Sequence, residues 1–140
     1  MSKLVWSDIW LLLSVLMSGD GQGASYKDII TNGDYINRAI FTQAEFESGL
    51  CRLTQHDLII EVYDKFYPSP KALELLDKAK NNGAVSVKDV RTSIESMVGA
   101  IPYEKMQIDT GICSYKGYSP EKFAEAISEY KQEFNEYFSR

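Results

Sequence analysis

The sequence predicts a mainly α-helical domain that carries one short β-hairpin. Ser25, Thr42 and Ser86 are each followed three residues later by an acidic residue, which is the capping-box pattern of a helix start. Residues 58–63 read Leu-Ile-Ile-Glu-Val-Tyr, and two polar residues separate this β-branched and aromatic run from residues 66–67. Such a pair of runs is typical of a hairpin. Elsewhere apolar residues recur at helical spacing, so the sequence favours helices around one hairpin.

The first two helices are predicted from caps and glycine-rich breaks. The first begins at Ser7 and ends near Met17, before three glycines in residues 19–23. Its apolar stripe is Ile9, Leu12, Leu13 and Leu16. The second helix follows the Ser25 cap, and we expect residues 32–34, Asn-Gly-Asp, to interrupt it before Thr42.

The helix that begins after Thr42 and the hairpin at about residues 58–67 form the centre of the predicted fold. Phe46, Leu50 and Leu53 are spaced four and three apart, so they share one buried helix face. The expected core as a whole comprises Leu12, Leu16, Ile29, Phe46, Leu50, Leu53, Ile60 and Leu73.

Three further helices are predicted after the hairpin. The first runs from Lys71 to about Lys80, with Pro70 in its first turn, and the second follows Ser86 as far as about Val98. Residues 99–118 contain three glycines and three tyrosines, and this pattern indicates a loop whose tyrosine rings pack against the domain. The last helix begins after Ser119 and ends near residue 138.

Composition and charge exclude several classes of function. The net charge is −5, and the basic and acidic residues number 3 and 4 in residues 1–40, 5 and 7 in 41–80, and 7 and 9 in 81–140, so no third of the chain is basic. His56 is the only histidine, and no Cys/His set has the spacing of a metal site. Cys51 and His56 fall on different helix faces, which disfavours a nucleophile pair. The sequence therefore predicts a non-enzymatic protein with no catalytic residues, no metal and no cofactor.

The cysteines and the apolar N-terminal run bear on location. Cys51 and Cys113 do not constitute a disulfide framework, and they fit a reducing compartment. The run 9–17 is shorter than the roughly 20 residues that cross a bilayer, and a signal peptide is the alternative interpretation of this run. We expect a cytoplasmic protein without membrane contact.

Residues 7–80 resemble the winged helix-turn-helix superfamily. The resemblance rests on the pattern Thr42-x-x-Glu45 with Leu50 and Leu53 in one helix, followed by a turn into the hairpin, although Asp57 stands where those proteins often have glycine. It implies a winged helix-turn-helix core at 1–80 with a two-stranded wing. Residues 81–140 would be a helical C-terminal extension packed on the core or on a partner subunit, within one structural domain overall. Dimeric bacterial transcriptional regulators of this kind bind DNA.

Two functions are compatible with that resemblance, and the resemblance itself favours the first. In the first, the chain is a DNA-binding transcriptional regulator whose predicted contacts to double-stranded DNA are Gln43, Ser48, Arg52 and Gln55 on the Thr42 helix, with Arg38 and Lys65 on the backbone. In the second, it is a winged-helix protein–protein interaction module that does not bind DNA. Glu45 and Glu47 at the leading end of the helix weaken the first interpretation.

The last predicted helix carries an aromatic stripe with heptad spacing. Its members are Phe123, Ile127, Tyr130, Phe134 and Tyr137. This apolar surface needs a cover, which either the chain's own Val90 helix or N-terminal residues, or a second copy, could supply. Self-complementary patches meet around twofold axes, so we expect a homodimer in which the stripe packs partly on its own subunit and partly on its partner.

Overall fold

The chain is mainly α-helical and contains one two-stranded antiparallel sheet, as predicted. The structure is a computed structural model, and it describes residues 2–18, 21–105 and 113–138. The elements are α1 (Trp6–Leu16), α2 (Tyr26–Asn37), α3 (Gln43–Gln55), β1 (Ile59–Val62), β2 (Lys65–Pro68), α4 (Pro70–Asn81), α5 (Val87–Val98), a 3₁₀ turn (Tyr103–Lys105) and α6 (Pro120–Phe138). None of the helices in the described ranges is both long and apolar enough to cross a bilayer.

The predicted helix caps are confirmed at Ser25, Thr42, Ser86 and Ser119, and the one predicted at Ser7 is corrected. The hydroxyls of Ser25, Thr42 and Ser86 accept the backbone N–H three residues on, and Ser69 does the same ahead of α4. Ser7 is not the cap of α1; it lies buried inside the helix. The carboxylate of Asp8 instead accepts the backbone N–H of Val5 at 2.9 Å, because an acidic residue in the first turn can satisfy a free amide there.

The predicted interruption of α2 is wrong, since the helix continues through Gly33. The indole of Trp10 donates to the carbonyl of Gly33 at 2.9 Å, and a Cβ placed on Gly33 would stand 2.3 Å from the ring of Phe41. Gly33 therefore serves close packing between α1, α2 and the Phe41 ring rather than a break in the helix.

The hairpin pairs residue 59 with residue 68 and residue 62 with residue 65, around a turn at Tyr63 and Asp64, both with positive φ. Phe66 is buried, and its backbone N–H and C=O both bond to Ala24 at 2.8 Å, so a third short segment lies beside β2. Ile59 faces the interior and Ile60 is 44% exposed. The expectation that Ile60 is a core residue is therefore wrong by one position, which in a strand means the opposite face.

One hydrophobic cluster includes residues from α1 through α6. Leu12, Ile29, Phe46, Leu50 and Leu53 are all fully buried, as predicted. Leu16 is only partly buried, and Leu73 is 47% exposed because Ala72 and Ala79 are the residues that α4 buries.

The C-terminal helices pack on the first 80 residues. α5 contacts α4 and α1, and a short parallel bridge joins Val5 to Ile101 beyond α5. α6 lies along α2, where the backbone N–H of Ser119 donates to the hydroxyl of Tyr26 at 3.1 Å and the hydroxyl of Tyr130 donates to Asp34. Within the chain, α6 is thus covered by α2, and not by the Val90 helix or the N-terminal residues considered above.

Candidate functional site

The outer surface of α3 was predicted to contact DNA, and it contains only part of the expected set. Gln43 and Gln55 are exposed. Ser48 and Arg52 are 3% and 4% exposed, so their predicted position on the polar surface is wrong. All residues of α3 are described, and Arg52 is its only basic residue. The accessible part of α3 therefore carries no cation.

Arg52 is directed into the protein, where it meets Asp8 of α1. Its Nε donates to Oδ2 of Asp8 at 2.8 Å, and the side chains are 5% and 0% exposed. Burial raises the pKa of Asp8, and the hydrogen bond and charge of Arg52 oppose that rise. The same oxygen also accepts the N–H of Val5, while Oδ1 has no hydrogen-bond partner among the described residues. Arg52 thus neutralises a buried carboxylate and cannot reach a phosphate.

The two remaining predicted DNA contacts lie outside α3. Arg38 is exposed at the end of α2, where its φ of 52° closes the helix in the left-handed region. Lys65 is half-buried at the start of β2. At the hairpin turn, Asp64 pairs with Lys122 of α6 at 2.6 Å. Because Arg52 is buried, Arg38, Arg52 and Lys65 do not form a continuous positive stripe. Glu45 and Glu47, both half-buried, are the charged residues that α3 itself leaves partly exposed.

A disulfide between Cys51 and Cys113 lies over the middle of α3, and it corrects the expectation of two unpaired thiols. The Cα atoms are 5.6 Å apart, and the bond joins residues 62 positions apart in the chain. The backbone N–H of Cys113 also donates to the hydroxyl of Ser48 at 3.2 Å. Spacing alone did not reveal this pair, because nothing in the sequence places residue 113 beside α3.

The residues that follow Cys113 continue along α3 and the hairpin. The hydroxyl of Tyr115 donates to Glu61 at 2.5 Å, and burial followed by this carboxylate raises the pKa of Tyr115 well above its ordinary value. The ring of Tyr118 stands 6.2 Å from Tyr26 and 6.4 Å from Phe46, centroid to centroid. The predicted packing of loop tyrosines is confirmed for these two. Tyr103 is 69% exposed, and residues 106–112 of the predicted loop lie outside the described residues.

The aromatic stripe of α6 divides into a covered half and an exposed half. Phe123 is buried, and Ile127 and Tyr130 are partly buried against the domain. Phe134 and Tyr137 are 48% and 72% exposed. Phe138, which was not included in the predicted stripe, is 69% exposed and lies 4.6 Å from the ring of Phe134. We call Phe134, Tyr137 and Phe138 the α6 aromatic end.

A groove of about 180 Å³ lies beside the α6 aromatic end. It is lined by Asp34, Ile40, Tyr130, Lys131, Phe134 and Asn135, so it runs between the end of α2 and α6. An engineered apolar cavity of about 150 Å³ accepts benzene, so the groove has room for one aromatic ring. Burial and the Asp34 carboxylate raise the pKa of Tyr130 to about 12, so its hydroxyl stays protonated at neutral pH and remains a donor to Asp34.

A separate cleft of about 420 Å³ opens between α1, α5 and the 3₁₀ turn. Its lining includes Trp6, Tyr103 and the pair Arg91 and Glu95, whose Nε and Oε1 atoms are 3.5 Å apart. Burial raises the pKa of Glu95, and Arg91 lowers it. In the described ranges, no three His, Cys, Asp or Glu side chains are placed to hold a metal ion.

Comparison with known proteins gave no relatives: no family model, no curated protein and no solved structure matches this chain.

Proposed function

We propose that this chain is a non-enzymatic winged-helix domain that acts by binding protein, and that one of its partners is a second copy of itself. The winged-helix assignment is supported by the order of three helices followed by a hairpin. The bonds of Phe66 to Ala24 add support, because they place the segment between α1 and α2 beside β2 as a third short strand.

The single observation that carries the choice of protein over DNA is the burial of Arg52 against Asp8. Non-specific affinity for DNA comes largely from lysine and arginine that neutralise phosphates. With Arg52 inside, the helix expected to enter the groove presents glutamines and glutamates without a cation. A surface of this kind suits a protein partner better than a phosphate backbone.

The α6 aromatic end supplies the proposed contact between copies. In an antiparallel pair of α6 helices centred on Phe134, Tyr130 of one copy faces Phe138 of the other, and Lys131 faces Tyr137. The ring of Phe138 would then lie at the groove beside Tyr130, and each Lys131 would gain a cation–π contact. Glu133 is paired with Lys27 of its own chain, so this arrangement does not oppose two free carboxylates at its centre.

The area of the α6 aromatic end indicates how stable the proposed dimer would be. From the exposed fractions of its three rings, the α6 aromatic end offers about 280–470 Å² per copy, taking about 150–250 Å² for a fully buried aromatic side chain. Two copies would bury about 570–950 Å² through these rings, which is below the roughly 1,200–2,000 Å² of a standard interface. We therefore expect a weak dimer that dissociates on dilution, in a compartment that we take to be the cytoplasm.

Sedimentation equilibrium over a range of concentrations tests the proposal. The mass should rise from 15.9 kDa toward twice that value with increasing concentration. Phe134→Ser and, separately, Tyr137→Ser should hold the chain at the monomer mass. Tyr63→Asn is the matched control, since it removes a ring that is 96% exposed on the hairpin, and asparagine tolerates the positive φ there. A constant monomer mass for the unchanged chain would rule out the dimer.

DNA binding is the second candidate, favoured by the fold order and by the exposure of Gln43 and Gln55. In that case Arg38 and Lys65 would supply the phosphate contacts. Fluorescence anisotropy with a mixed-sequence duplex at about 50 mM salt, where electrostatic affinity is large, separates the two functions. We expect no binding. Binding that weakens with salt and on Arg38→Ala would replace the protein-binding proposal.

A further inference from the structure

We propose that Cys51 and Cys113 form a thiol–disulfide exchange site that decides whether the middle of the α3 outer surface is covered. This inference does not depend on the dimer, because the disulfide lies on α3 and the proposed dimer contact lies at the end of α6.

The position of Cys51 on α3 carries the first step. A helix turns about 100° per residue, so Cys51 is rotated about 140° from the buried Phe46 and lies near the centre of the outward face. Ala44 and Gln55 flank it at nearly the same angle, and both are exposed. Cys51 is nevertheless only 6% exposed. The disulfide partner Cys113 lies over it, in the segment Cys113–Tyr118, which we call the cover.

The attachments of the cover differ between its two ends. The Tyr118 end is held by ring contacts to Tyr26, Phe46 and Phe123. Tyr115, in the middle of the cover, donates its hydroxyl to Glu61. Within the described residues, the Cys113 end is held by the disulfide and by the bond from its N–H to Ser48. A single neutral hydrogen bond contributes only about 0.5–1.5 kcal/mol of net stability. Cleaving the disulfide should therefore release Cys113 and Ser114, while Tyr115 and Tyr118 stay packed.

The reductant is a dithiol. One of its thiolates attacks Sγ of Cys113, the more exposed of the two cysteines, and the sulfur–sulfur bond breaks as Cys51 leaves as a thiolate and takes up a proton. The second thiol of the reductant then attacks the mixed disulfide and releases Cys113 as a thiol. The dithiol becomes a cyclic disulfide, so two electrons pass to the protein and all sulfur atoms are accounted for.

Release of the Cys113 end would change the chemistry of the α3 surface. The hydroxyl of Ser48 and the thiol of Cys51 would become accessible between Ala44 and Gln55, so the outer face would be continuous. Exchange at this site rests on the proposed cytoplasmic location: in a reducing compartment a disulfide is usually transient and redox-sensing, whereas in an oxidising compartment the same bond would be permanent. The cover is thus a device that hides α3 in the oxidised chain and exposes it in the reduced chain.

Cysteine alkylation tests this directly. The protein is reduced with millimolar dithiothreitol, pulsed with iodoacetamide, and the label on each cysteine is followed by mass spectrometry, with circular dichroism to verify that the chain stays folded. If the cover lifts, Cys51 and Cys113 should be labelled at rates within about tenfold of each other, because access to the reagent would no longer distinguish the two thiols. A folded reduced chain in which Cys51 reacts more than about 100-fold more slowly would show that the cover stays in place.

A variant and a reoxidation step complete the test. In Cys113→Ser the cover has no covalent bond to α3 in any buffer, so Cys51 should be labelled as fast as in the reduced chain, with or without dithiothreitol. Slow labelling of Cys51 in this variant would overturn the proposal. Returning the reduced protein to oxidised glutathione should restore a chain without free thiols, and its failure to do so would refute the exchange site itself.

Discussion

Replacing Arg52 with methionine isolates the buried charge that Arg52 neutralises. Methionine keeps the length and much of the volume of the side chain but removes the guanidinium that donates to Asp8. Asp8 is completely inaccessible to solvent, so its carboxylate would remain in the interior with only the N–H of Val5 as a donor. Breaking a buried ion pair by removing one partner costs about 3–5 kcal/mol, and we expect Arg52→Met to lower the free energy of unfolding by that amount at pH 7.

The pH dependence separates an uncompensated charge from lost packing. The folded-state pKa of Asp8 lies above its ordinary value, so the contribution of this group is most favourable below about pH 4 and declines as the pH rises through the folded-state value. Removing Arg52 takes away the main influence that lowers this pKa. The loss of folding stability between pH 4 and neutral pH therefore becomes larger in the variant. The difference between Arg52→Met and the unchanged chain should therefore be largest at neutral pH and shrink toward pH 4.

Urea unfolding followed by circular dichroism at several pH values measures these differences. Lys78→Met is the matched control, because Lys78 pairs with Glu74 at 3.2 Å on the exposed side of α4, and such pairs contribute about 0.5 kcal/mol or less. Asp8→Asn combined with Arg52→Met should be less destabilised than the sum of the single changes. A loss below about 1 kcal/mol for Arg52→Met, or a loss independent of pH, would refute the assignment of Arg52 to the neutralisation of Asp8.

Two further predictions concern the core and the cover. Leu53→Ala should lower the free energy of unfolding by about 2–5 kcal/mol because Leu53 is fully buried, whereas Leu73→Ala, at a side chain 47% exposed, should cost well under half as much in the same urea titration. Burial raises the pKa of Tyr118 to about 12, so its contribution is complete below about pH 10 and is lost as the pH rises toward 12. Between these pH values the melting temperature of Tyr118→Phe should fall less than that of the unchanged chain. Equal falls would show that other groups cause the loss of stability at alkaline pH.

The helices could be predicted because their signals are local. A capping box at Thr42 or Ser86 is decided within four residues, and the structure retains both. The hairpin was predicted with its turn, but Ile60 was assigned to the wrong face. Residues 58–60 are all apolar, so alternation could not define the register, and the strand faces are instead set by Phe66 packing beneath the hairpin.

The fate of Arg52 and Cys51 could not be predicted, because both depend on residues distant in the chain. Arginine on a helix is most often solvated, and the partner Asp8 lies 44 positions away. Two features of the sequence are consistent with the Arg52–Asp8 pair. Asp8 is an acidic residue within an apolar helix, and Gly49 of α3 allows another helix to approach closely. A Cβ on Gly49 would stand 2.9 Å from Leu11 of α1. Neither signal identifies the partner without the fold.

The ion pair and the disulfide act on consecutive residues of the same helix, which lie about 100° apart around its axis. Arg52 fixes the rotation of α3 against α1, since its guanidinium must reach Asp8 across the interface that Gly49 keeps narrow. That rotation directs the adjacent residue, Cys51, away from the core and under Cys113. The pair is buried and need not be worth more than an apolar replacement; we expect it to select one orientation of the helix where apolar contacts would tolerate several. On that expectation, the position of the disulfide on the outer surface of α3 follows from where Arg52 is neutralised.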